Sequence, residues 1–111
     1  MTAGPIEGVV PILLSPFLDN GRLDAESMER QVEFNIAAGV HGLGLAIGSE
    51  MFKLNETERG ELVTVTAAAI GKRTPLIVNV SAAGSDLAAH YAKLAQAQGA
   101  DVLMVYPPTF L

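Results

Sequence analysis

Apolar and polar positions follow two alternating rhythms along the chain. Residues 8–17 (GVVPILLSPF) form a nearly unbroken apolar run, the pattern of a strand buried on both faces, because a parallel sheet covered by helices leaves no polar side. Pro11 cannot donate to a ladder, so it belongs near the start of that strand or at a bulge. Asp19-Asn20-Gly21 is a turn by composition. From there the apolar spacing changes to every fourth residue, at Met28, Val32 and Ile36, which marks one face of a helix. Asp24 is its predicted N-cap, Leu23 and Met28 form its hydrophobic staple, and Gly39 is its left-handed stop.

The second cycle begins with a short glycine-dotted apolar stretch, Gly42-Leu43-Gly44-Leu45-Ala46-Ile47-Gly48-Ser49-Glu50, and passes through a polar loop to Asn55. Asn55 with Glu58 three residues on is a capping box, and the helix it opens runs through Ile70 to Gly71. Residues 72–75 (KRTP) turn the chain into a third strand at 76–80 (LIVNV). Ser85 is the predicted cap of a third helix that buries Leu87, Tyr91, Leu94 and Ala95 and stops at Gly99. A fourth strand follows at 101–106 (DVLMVY).

The order β-α-β-α-β-α-β, with loops of a few residues, forces parallel pairing through right-handed crossovers and gives an α/β class. Periodicity alone leaves two architectures open, a small doubly wound sheet and the first half of an eightfold barrel. Branched residues on both faces of every strand favour the barrel. So does a chain that closes on a strand rather than on a helix. Half a barrel exposes two strand edges and an inner face, which are then covered by the rest of a longer polypeptide or by a second copy.

The chain has 111 residues, one domain's worth and well short of the roughly 250 of a typical (β/α)8 barrel. Half of its residues are apolar, which excludes disorder. A net charge of −5 provides no basic stripe, so nucleic acid is not an expected partner. There are no cysteines, hence no disulfide framework and no thiolate ligand or nucleophile. The start of the chain carries no secretory signal pattern, and no apolar run approaches the roughly 20 residues that span a bilayer. A cytoplasmic protein with no membrane contact is the expectation.

α/β proteins place their chemistry in loops at the carboxyl ends of parallel strands. Gly48, Ser49 and Glu50 sit in such a loop, where backbone N–H groups and a hydroxyl suit a carboxylate, although a tight turn with a satisfied hydroxyl has the same sequence. Asn79, at the end of the third predicted strand, points either into a site or into a backbone hydrogen bond. His41, after a helix end, and His90, in mid-helix, read as structural or solvated. The stretch from Tyr106 to Phe110 reads by default as apolar packing, with the lining of a pocket or an oligomer contact as the alternatives.

Taken together, these residues resemble the amino-terminal part of the dihydrodipicolinate synthase and N-acetylneuraminate lyase family, Schiff-base aldolases on a (β/α)8 TIM barrel. The likeness runs over residues 8–110: Ser15-Pro16-Phe17 where the family usually has Thr-Pro-Phe, Gly21 and Asp24, Ala38-Gly39-Val40-His41-Gly42, Gly48-Ser49-Glu50, Leu54 and Glu58, Arg73-Thr74-Pro75-Leu76-Ile77, Gly99-Ala100-Asp101, and Pro107-Pro108. The resemblance implies a pyruvate-like 2-keto acid as small-molecule substrate, no cofactor and a homo-oligomer, dimer or tetramer. It implies Gly48 and Ser49 as substrate-binding residues, with Ile47, Glu50, Asn79 and Phe110 around the pocket.

Departures fall on the chemistry. Where the family carries Gly-Ser/Thr-Thr-Gly-Glu this chain has Ala46-Ile47-Gly48-Ser49-Glu50, so a hydroxyl is lost at Ile47. The family often has Pro-Tyr-Tyr after its fourth strand; here Phe110 fills that volume without a proton to pass. The family's imine lysine and its partner tyrosine belong to strands beyond the fourth, so no catalytic residue is assigned within this chain. Of its lysines, Lys72 sits at the opposite end of the sheet, Lys93 on the polar side of a helix, and Lys53 on the right face but exposed, lacking the desolvation that activates an imine-forming amine. A non-catalytic half-barrel that pairs for assembly and a small doubly wound ligand-binding domain are the rival readings. The second is weakened by the lack of a glycine-rich phosphate loop after the first strand.

Overall fold

A computed structural model describes residues 5–107. Three helices, α1 (Ala25–Ala37), α2 (Glu56–Ile70) and α3 (Ser85–Gln98), alternate with three strands, β1 (Leu43–Leu45), β2 (Leu76–Asn79) and β3 (Val102–Met104). The three strands pair in parallel, in the order β1-β2-β3, with Leu43 opposite Leu76 and Ile77 opposite Val102. Sequential order with a helix in each crossover is the winding of a (β/α) barrel wall.

The first predicted strand is present as an extended segment beside β1. His41 N–H donates to Val9 O (2.8 Å), Gly44 N–H to Pro11 O (2.9 Å) and Leu13 N–H to Gly44 O (2.8 Å). Pro11 has no N–H, so the ladder loses a rung there and regular pairing shrinks to one parallel bridge, Ile12 with Gly44.

Local signals decide where the helices begin. Asp24 accepts from Ser27 N–H at the start of α1. Asn55 and Glu58 close a reciprocal capping box on α2, at 2.9 Å in each direction. α3 departs from expectation: Ser85 is its first helical residue, and the N-cap is Gly84, with no side-chain bond. Ser85 has helical rather than extended geometry, so its hydroxyl is one position too late to cap. The left-handed stops at Gly39, Gly71 and Gly99 are present.

One face of the sheet carries the helices and the core. Leu43, Leu45, Leu76, Val78 and Val80 pack there with Leu13, Met28, Val32, Leu62, Val63, Ile70 and Ala95. On the opposite face Ile77 and Asn79 are buried as well. β1 and β2 are buried throughout, whereas β3 is only half-buried. Val9 and Leu14 on one border and Leu103 and Val105 on the other are exposed. Leu87, predicted to be buried, is 44 % exposed: the apolar face of α3 is wider than the packing it receives among the described residues. No helix among the described residues is long and apolar enough to cross a membrane.

Candidate binding rim at the carboxyl ends of the strands

After β1 the backbone makes two short 3-10 turns, Ile47–Ser49 and Met51–Lys53, joined by Glu50 in the left-handed region (φ 61°). Ser49 is fully buried and holds this arrangement together. Its hydroxyl donates to Leu13 O and accepts from Ala46 N–H, its own N–H donates to Ala46 O, and its carbonyl accepts from the Ser15 hydroxyl. The Ser15-Pro16-Phe17 corner and the loop after β1 are thereby tied to each other.

Gly48 and Gly44 lie close under the Ile12 side chain. A Cβ on Gly44 would lie 2.6 Å from Ile12 Cδ1, and one on Gly48 3.3 Å from Ile12 Cγ2, so Ile12 lies over both backbones. The Gly48 N–H has no hydrogen-bond partner among the described residues. Ile47 is 52 % exposed. The Glu50 carboxylate meets the Lys53 ammonium at 3.1 Å in an exposed ion pair, which contributes little in water.

Asn79 ends β2. It alternates with Val78, which packs in the core, and so points to the face of the sheet away from the helices. It is nonetheless 2 % exposed. Its Oδ1 accepts from Ser81 N–H (2.8 Å) and its backbone carbonyl from Arg59 Nη2 (3.3 Å), but its buried Nδ2 has no partner among the described residues. Ser81 in turn accepts from Tyr106 N–H (2.8 Å) just past β3. Hydrogen bonds thus link the carboxyl end of β2 to the segment just past β3.

Sequence reasoning missed Arg59. It is 9 % exposed, one turn into α2; its Nη1 donates to Met51 O (3.3 Å), and its guanidinium stands 4.1 Å from the centroid of the Tyr91 ring. Burial pushes its pKa below the ordinary guanidinium value, and the neighbouring Tyr91 acts in the opposite direction. The signal was available: Arg59 shares the spacing of Leu62, Val63, Thr66 and Ile70, the buried side of α2. A cation on an apolar helix face is worth questioning.

The remaining candidates fall elsewhere. His41 accepts from Val9 N–H through Nδ1 (2.9 Å) at the amino end of the sheet, and its ring fills the space beside Gly8. His90 pairs with Glu56 across α3 and α2 (2.8 Å) on the surface. Lys53 is exposed, as predicted. Phe110 lies outside the described residues. Among the described residues no group of three His, Asp or Glu side chains is placed to hold a metal ion. The rim can therefore offer neutral hydrogen-bond donors, Asn79 Nδ2 and Gly48 N–H, with one buried cation behind them.

Comparison with known proteins gives this geometry a family. A sequence model of the Dihydrodipicolinate synthetase family matches residues 5–111. The chain is 34 % identical over 106 residues to a 4-hydroxy-tetrahydrodipicolinate synthase of Agrobacterium fabrum, covering 94 % of this chain and 36 % of that protein. It is 33 % identical over 110 residues to an N-acetylneuraminate lyase of Citrobacter koseri, covering 97 % and 37 %. Among solved structures, a dihydrodipicolinate synthase of Bacteroides thetaiotaomicron superposes with a TM-score of 0.87 at 34 % identity, covering 96 % of this chain and 36 % of that one. YagE of Escherichia coli K12, a prophage protein of the same family solved in complex with pyruvate, gives a TM-score of 0.88 at 25 % identity, covering 94 % and 35 %. The chain spans about a third of the length of the curated relatives it matches. The chain belongs to the dihydrodipicolinate synthetase family, and its parallel strands and helices correspond to the amino-terminal half of that family's (β/α)8 barrel.

Proposed function

We propose that this chain forms the first four strands of an aldolase-type lyase whose complete barrel binds a pyruvate-like 2-keto acid and converts it through a Schiff base. The observation that carries the reading is the Asn79 amide, a buried donor with no partner among the described residues, at the carboxyl end of β2. A buried donor left unmet costs about 1–3 kcal/mol, and a ligand oxygen relieves that cost. The unpartnered Gly48 N–H supports the same reading, and Ser49 keeps the loop in place. YagE, a relative with the same local fold, was solved with pyruvate.

The amine that forms the imine lies outside these residues. Lys53 is water-exposed and paired with Glu50, without the desolvation or cationic neighbour that activates an imine-forming amine. Lys72 sits at the amino end of the sheet and Lys93 is exposed on α3. The complete protein works in the cytoplasm as a homo-oligomer, dimer or tetramer.

Two measurements test the proposal. Borohydride treatment of this chain with pyruvate leaves its intact mass unchanged; a covalent adduct would place the imine lysine inside it. In the complete protein, titration with pyruvate followed by NMR shifts the Gly48 amide and the Asn79 side-chain amide; a flat titration refutes the keto-acid site. A second reading, self-pairing of half-barrels, draws on the exposed Val9, Leu14, Leu103 and Val105 at the two borders. Sedimentation across a concentration series that finds only monomer removes it.

A further inference from the structure

Arg59 is a buried cation without a buried anion. Among the described residues no carboxylate lies within ion-pair distance of it: Glu50 is paired with Lys53 and Glu56 with His90. Removing a guanidinium from water is costly, and proteins ordinarily offset that cost with an acidic partner. Here the compensation comes from two backbone carbonyls and an aromatic face, Met51 O, Asn79 O and Tyr91. Those carbonyls belong to different parts of the rim, one in the loop that follows β1 and the other at the last residue of β2.

We propose that Arg59 is a positioning residue of the rim, with two separable effects: its planar fork fixes the loop after β1 against the end of β2 and so aims the Asn79 amide, while its uncompensated charge makes the rim select a carboxylate over a neutral carbonyl compound. The second effect rests on the keto-acid reading above; the first does not. A fork that bridges two acceptors is a property of arginine. Lysine at the same place supplies the charge but engages its acceptors as a single point. In a poorly solvated site an unpaired charge is weakly screened, so it acts on a ligand it does not touch.

The experiment compares the complete barrel protein that contains this chain with its Arg59→Lys and Arg59→Met variants. Amide exchange reads the clamp: in both variants the amides of 51–54 and 81–84 exchange about tenfold faster while those of α1 keep their rates. Acceleration that is uniform along the chain, or absent, overturns the clamp. Titration with pyruvate and with its uncharged methyl ester reads the charge. Pyruvate binds about tenfold more weakly to Arg59→Met and within about threefold of the parent affinity to Arg59→Lys, and the ester binds all three alike. Equal pyruvate affinity in Arg59→Met overturns the selectivity. A parent chain with no pyruvate response removes the keto-acid reading and the selectivity together, and the exchange pattern alone then decides the clamp.

Discussion

The loop after β1 and the end of β2 meet at one rim and are built in opposite ways. At Ser49 the N–H, the carbonyl and both roles of the hydroxyl are engaged within the chain. At Asn79 the carbonyl and Oδ1 are engaged and Nδ2 is left over. Side chains that resemble one another in burial therefore have different capacities. Ser49 is structural in its contacts, whereas Asn79 retains hydrogen-bonding capacity for something else. The loop singled out by resemblance supplies the frame and the Gly48 N–H, and its neighbour supplies the buried free donor.

The strongest way to break that contrast is to remove the Ser49 hydroxyl. Ser49→Ala strands Leu13 O and Ala46 N–H, both in a buried setting, and the expected loss is about 2–4 kcal/mol of unfolding free energy in urea. A loss within about 0.5 kcal/mol would mean that water reaches those groups. Asn79→Ala is the matching change at the other locus. It removes one bond to Ser81 N–H and a donor that was already unmet, so it costs about 1–2 kcal/mol, less than Ser49→Ala. It also abolishes the pyruvate-induced shift at Gly48. If Asn79→Ala proves the costlier of the two, the Asn79 amide has a partner that the described residues do not include, and the contrast fails.

How far the sequence revealed these two loci depends on the distance along the chain between partners. The caps at Asp24 and Asn55 were legible because donor and acceptor are three residues apart. The parallel order of the strands was legible because each crossover contains its own helix. Ser49 was legible as a candidate with two roles left open, a carboxylate cradle and a satisfied turn hydroxyl, but not in its partner, since the carbonyl it bonds is 36 residues earlier. Asn79 was placed at the correct strand end, with both of its alternatives left open. Arg59 was missed because its two acceptors lie 8 and 20 residues away and only the fold brings them together. Pro11 was correctly read as awkward for a ladder, yet the single bridge it leaves depends on which of its neighbours face β1.

The smallest effect runs the other way and sharpens the contrast within the loop after β1. Glu50 occupies left-handed backbone at φ 61°, a conformation that costs a side-chain-bearing residue roughly 1–2 kcal/mol and glycine almost nothing. Its one charge contact, with Lys53, joins side chains that are 45 % and 75 % exposed, which leaves little to lose. Glu50→Gly therefore stabilises the chain by about 0.5–1 kcal/mol in urea unfolding. Adding Lys53→Ala to it changes nothing further, because the pair contributes almost nothing in water. A loss of stability would show instead that the Glu50 carboxylate holds the rim by a contact other than Lys53, so that Ser49 is not the sole anchor of this loop.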